Sequence, residues 1–134
     1  MNGDWRETLV RLLVAVALAA AVGYEREARG KAAGVRTHIL IALGAAGFTL
    51  ASLYGFGGAD VSRVASGVVA GVGFIGAGVI FRGGHGEGVA GLTTAASIWV
   101  TAGVGMCAAC GLYLLALALS AVSVLVLELP KVRD

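Results

Sequence analysis

Long apolar blocks alternate along this chain with short clusters of charge or glycine. A helix needs about 20 mostly apolar residues to cross the roughly 30 Å hydrocarbon core of a bilayer. Read against that length, the blocks predict five transmembrane helices, at about 8–24, 38–55, 62–81, 93–108 and 110–129. The strictly apolar part of the first, Leu12 to Tyr24, is short, so Arg11 is expected to snorkel its guanidinium toward the headgroups. Pro130 stops the last helix. The fold expected is all-α: one polytopic membrane domain over residues 1–134, with short connections and no room for a second domain.

Composition strengthens this picture. Of 134 residues, 58% are hydrophobic and 13% charged, against about 25% charged in an ordinary soluble chain. The mean hydropathy is +0.90. A formal charge of +2, without a basic stripe interleaved with aromatics, excludes a nucleic-acid partner. Where the charges fall sets an orientation. Arg6, Arg11 and Arg63 lie on one side of a five-span bundle; Arg26, Arg29, Lys31, Arg36, Arg82, Lys131 and Arg133 lie on the other. The positive-inside rule then puts the N-terminus in the periplasm and the C-terminus in the cytoplasm. A cleaved signal peptide ending near Ala19 or Ala21 is disfavoured, because Asp4 and Glu7 offset Arg6 and Arg11 ahead of the apolar run.

Small residues recur at helical spacing: Ala15, Ala19 and Gly23; Gly44, Gly47, Ala51 and Gly55; Gly67, Gly71 and Gly78; Thr94, Ser97, Thr101 and Gly105. In lipid, helices associate by close packing and occasional polar contacts, and such stripes let backbones approach. Packing within the bundle is the first reading, and a groove left for a second subunit or partner helix is the alternative. Gly71-Val72-Gly73-Phe74-Ile75-Gly76 matches GxGxxG, but that fingerprint binds dinucleotides only between a strand and a helix. In the middle of an apolar run, Gly67, Gly71, Gly73, Gly76 and Gly78 read as helix-packing residues, with Thr93 and Thr94 doing the same for the fourth span.

Chemistry is sparse. Cys107 and Cys110 form a CxxC that could close a disulfide, yet both pass as small apolar residues near a helix end. Arg82 to Gly88 is a flexible loop without the ending of a phosphate loop, and Asp60 and Ser62 are natural helix caps. Two histidines and no mid-membrane carboxylate give no nucleophile–base pair and no assigned metal ligands, so neither an enzyme nor a cofactor is expected. The same absence weighs against a cation transporter acting alone. In Glu25 to Lys31, the densest charge cluster, Glu25–Arg29 and Glu27–Lys31 are favourable i,i+4 pairs, each worth about 0.2–0.5 kcal/mol, which would prolong the first helix into water.

Three blocks carry a family resemblance. Gly23-Tyr24-Glu25-Arg26-Glu27 with Lys31 to His38, Asp60 to Arg63 with Gly71 to Ile80, and Gly91 to Trp99 resemble, in order and spacing, the membrane domain of the MgtC/SapB family. The resemblance covers about Leu9 to Leu115. It implies a bacterial inner-membrane protein connected with growth at low magnesium, without the cytoplasmic C-terminal domain of the virulence-linked branch. Members often carry the label of magnesium transporter, and some act on other membrane proteins, including the proton-translocating ATP synthase. Val61 stands where the family has Pro, Gly67 where Gln is common, and Thr93 where the virulence-linked branch has Asn. These departures weaken the case for virulence and for ATP-synthase inhibition.

The function expected is therefore a small non-catalytic regulator of magnesium or ion homeostasis, working by helix contacts with itself, as a dimer in preference to larger assemblies, or with a membrane partner. An ion pathway formed in an oligomer is the alternative. A polar cap is expected at the cytoplasmic boundary, with Glu25 paired to Arg82 and with Arg26, Glu27, Lys31, Arg36 and His38 nearby. The competing pairing is Glu25 with Arg29.

Overall fold

The structure, a computed structural model, describes residues 4–82 and 88–131, apart from the side chain of Arg82. The helices are α1 (Trp5–Ala28), α2 (Val35–Tyr54), α3 (Ser62–Ala77), α4 (Leu92–Ala109) and α5 (Tyr113–Leu127). Between α3 and α4 lie two short antiparallel strands, β1 (Phe81–Arg82) and β2 (Val89–Ala90), with Phe81 opposite Ala90 and Arg82 opposite Val89. The fold is all-α, and the apolar blocks are its helices.

Helix α4 is the hub, packing on α1, α2, α3 and α5. Its sequence explains why. Thr94, Ser97, Ile98, Thr101, Ala102, Val104, Gly105, Ala108 and Ala109 are buried, a run at three- and four-residue steps that is small at nearly every turn. Neighbouring backbones can therefore come close on more than one side. The closest approach is to α2: a Cβ placed on Gly105 would lie 2.9 Å from the Cα and 3.0 Å from the carbonyl carbon of Ala42. Gly23 does the same between α1 and α2, where a Cβ would lie 2.7 Å from the Cα of Val35. The core that results is built mostly of alanine, with Ala15, Ala19, Ala42, Ala46, Ala108 and Ala116 buried around Val104 and Leu50.

Polar side chains inside the bundle satisfy themselves locally or tie helices together. Thr49 donates to the carbonyl of Ala45 and Thr101 to that of Ser97, each at 2.7 Å. Ser120 on α5 donates to the carbonyl of Leu18 on α1 at 2.8 Å. Asp60 does not cap α3, whose N-cap position is Val61 and whose first residue is Ser62; the carboxylate that caps a helix is Asp4, on α1. Asp60 accepts from the amide of Ser62 at 2.9 Å and its hydroxyl at 2.7 Å. Those bonds hold the Asp60 carboxyl below its usual range.

Helices α1, α2 and α4 are long and apolar enough to cross a membrane. Helices α3 and α5 are shorter, at 16 and 15 residues, or about 24 and 22 Å. Helix α3 stops at Ala77, where Gly78 donates to the carbonyls of both Phe74 and Ile75 and tighter turns carry the chain to Ile80. Helix α1 runs past Tyr24 to Ala28, so the charge cluster does extend it. Its first charges, however, do not enter water: Glu25 and Arg26 are buried.

Candidate functional site

The polar cluster sits at the end of the bundle where α1 finishes and α2 and α4 begin. Two glycines bring it together. Gly23 lets α2 start against α1, and a Cβ there would lie 3.1 Å from the Cβ of His38. Gly34 lies against Glu27, whose Oε1 would be 2.7 Å from a Cβ at that position.

Glu25 and Arg26 form a two-bond ion pair, Nε to Oε2 at 2.6 Å and Nη2 to Oε1 at 3.0 Å, with both side chains 4% exposed. Arg29 Nε stands 3.6 Å from Oε1 of the same carboxylate, while its Nη2 donates to Glu128 at the end of α5 at 2.8 Å. The expected partner Arg82 has a side chain outside the described residues, as do His85 and the rest of the loop 83–87, and Arg133.

His38 is fully buried one turn into α2. Its Nδ1 lies 2.9 Å from the carbonyl of Gly34, so Nδ1 carries a proton and donates. Its Nε2 lies 3.0 Å from Ser97 Oγ on α4, which also lies 2.7 Å from the carbonyl of Thr94. With a neutral imidazole, the single hydroxyl proton of Ser97 can serve Nε2 or the Thr94 carbonyl, not both. His38 thus latches the starts of α2 and α4 together, with Glu25 and Arg26 close by on α1. Glu27, Lys31 and Arg36 are exposed around this core.

The helix-packing set divides. Gly76 is buried with a Cβ position 3.5 Å from the carbonyl oxygen of Ala95 on α4, and Thr94 is buried at the start of α4. Gly78 lies at the end of α3 beside the carbonyl of Ile75, and Thr93 is exposed. Gly67, Gly71 and Gly73 have nothing within 4 Å of a Cβ position. Gly67 and Gly71 instead line an open apolar groove of about 700 Å³ between α2 and α3, with Leu40, Gly44, Phe48 and Ile75.

Arg11 departs from expectation. Rather than extending alone to the headgroups, it turns into the opposite end of the bundle, its side chain 12% exposed. There it pairs with Glu7, donates to Tyr54 Oη at 2.9 Å and donates to the carbonyl of Ala109 at 2.6 Å. One guanidinium staples α1, α2 and α4, because an intrahelical partner and two acceptors are closer than bulk water. The only sequence signal was the presence of a charge inside an apolar run, which needs a partner. Cys107 and Cys110 are free thiols. Among the described residues, no group of three or more His, Cys, Asp and Glu side chains converges as metal ligands would.

Such a bundle, with apolar helices and, among the described residues, its ion pairs at the two ends, defines a polytopic membrane protein. Its family follows from comparison: the MgtC family profile matches residues 12–133, and the chain belongs to that family. It is 48% identical over 130 residues to the Escherichia coli K12 protein named "Putative magnesium transporter YhiD", covering 91% of this chain and 60% of that one. It is 41% identical to Protein SrpB of Synechococcus elongatus, over 87% of this chain and 70% of that one. Protein MgtC of Brucella abortus is 43% identical over 105 residues, 78% of this chain and 43% of its own. The chain thus spans less than two thirds of the length of the first and last of these relatives. No solved structure matches.

Proposed function

We propose that this chain is a non-catalytic protein of the bacterial inner membrane, tied to magnesium or ion homeostasis, that works through helix contacts with a second copy or a membrane partner. The observation that carries this reading is the α2–α3 groove. Helix α3 buries only Val72 and Gly76, and a Cβ placed on its groove-lining glycines, Gly67 and Gly71, would meet nothing within 4 Å. In lipid, a glycine face is worth most where another backbone can reach it. Gly71→Leu tests this: the fold should keep its thermal midpoint, because a Cβ there meets nothing within 4 Å and opens on the groove, while cross-linked dimer in native membranes should fall several-fold. Undiminished association of the variant would place that face against lipid and sink the reading.

A second reading, an ion pathway formed in an oligomer, is favoured by the name of the Escherichia coli relative. Purified protein in liposomes with a magnesium-sensitive dye separates the two. Flux no greater than in empty liposomes is the expected result; flux that depends on the chain would replace the first reading. The orientation we propose has the N-terminus in the periplasm and the polar cluster in the cytoplasm. Reporter fusions at Gly58 and Cys110 should then report the periplasm and fusions at Gly84 and Asp134 the cytoplasm.

A further inference from the structure

An open cleft of about 960 Å³ lies beside the polar cluster, between the end of α1, the β1–β2 hairpin, the start of α4 and the end of α5. Four cationic residues line it, Arg26, Arg29, Lys31 and Lys131, and no carboxylate does so among the described residues. Its remaining walls are largely apolar, with Phe81, Leu92 and Leu129 among them.

Two buried groups face this space with bonding capacity left over. Arg26 spends Nε and Nη2 on Glu25, and its Nη1 has no acceptor among the described residues. Thr94 is 3% exposed, lines the cleft, and its hydroxyl has no partner among the described residues. The first turn of α4 opens on the same space. No side chain caps it, and the residue before it, Gly91, has φ +91°. A Cβ on Gly91 would overlap the carbonyl oxygen of Val79, so the hairpin can return this close only with glycine there. Free amides at a helix start favour an anion.

We propose that the cleft binds the phosphate of an anionic phospholipid headgroup. The phosphate lies between Arg26, Lys31, Lys131 and the first turn of α4, and the acyl chains run down the apolar walls toward the bilayer. Three observations select a lipid over free phosphate. The cleft is roughly an order of magnitude larger than one phosphate, its walls are apolar, and it opens at the helix ends where headgroups lie. Basic pockets between helix ends are a known way to hold acidic lipid headgroups. The inference is independent of whether the chain moves an ion or contacts a partner.

The test uses the full chain in detergent, titrated separately with phosphatidylglycerol, phosphatidylcholine and inorganic phosphate, with bound lipid counted by native mass spectrometry and the thermal midpoint followed. Phosphatidylglycerol should bind at defined stoichiometry and raise the midpoint; phosphatidylcholine should do neither. The double variant Lys31→Gln/Lys131→Gln should weaken phosphatidylglycerol binding by about tenfold or more, since each basic residue near an acidic lipid counts for several-fold. Thr94→Val changes no charge and removes only an unpartnered hydroxyl, so it should fold normally and still bind several-fold more weakly. Arg36→Gln removes a charge near this end but outside the cleft and should bind as the parent does. Equal binding of phosphatidylcholine would overturn the proposal, as would full binding by the double variant and Thr94→Val. Inorganic phosphate reproducing the whole effect would overturn the lipid assignment.

Discussion

Replacing Gly105 by alanine is expected to unfold the bundle or leave it too loose to purify as a single species. The added methyl would fall within 3.0 Å of the Cα and carbonyl carbon of Ala42. Those are backbone atoms in the middle of α2, so no side-chain rotation relieves the clash. Helices α2 and α4 must part, and with them go the alanine contacts of the main core, where Ala42, Ala46, Val104 and Ala108 are all buried. Overpacking costs about 1–3 kcal/mol where side chains can adjust; a backbone clash at the hub belongs at or above the top of that range. Gly103→Ala, two residues away, is the control. Its methyl would approach only Leu119 Cδ1 at 3.9 Å, so its thermal midpoint should stay near the parent's. A parental midpoint for Gly105→Ala would show that α2 and α4 are not in close contact there.

Gly105, set beside Gly71, also marks what the sequence can tell. The helices were legible because each apolar block carries its signal locally, in length and hydropathy, whatever its neighbours do. The stripes of small residues were legible as stripes. Which of them face inward was not, because Gly105 and Gly71 sit in equally good small-residue patterns and only the arrangement of other helices separates them. Long-range polar contacts were hidden for a related reason. Arg11 meets the carbonyl of Ala109, 98 positions away, and His38 meets Ser97, 59 positions away. A lone arginine or histidine in an apolar run announces a need for a partner, not the partner's place. The Glu25–Arg26 pair was obscured differently. Adjacent residues on a helix point about 100° apart and are ordinarily not read as partners. Here the long arginine side chain folds back because the surrounding helices bury both groups.

That burial sets the last expected result. Glu25→Gln leaves the Arg26 guanidinium buried without its counter-charge, and Arg26→Met leaves the Glu25 carboxylate with only Arg29 Nε, 3.6 Å away. Removing one member of a buried pair typically costs about 3–5 kcal/mol, because the survivor has lost water and gained nothing in return. Either single change should therefore lower the midpoint of thermal unfolding in detergent by several degrees, read by intrinsic tryptophan fluorescence. The Glu25→Gln/Arg26→Met double variant should lose much less than the sum of the two, since it leaves no unpaired charge. Arg29→Gln should cost little by comparison, because that side chain is half-exposed and its contact with Glu128 is an exposed pair. The cycle weighs neighbour against neighbour. If the costs of the two single changes simply add in the double variant, Glu25 and Arg26 are not coupled. The start of α2 would then be held against α1 and α4 by His38 and the glycines alone.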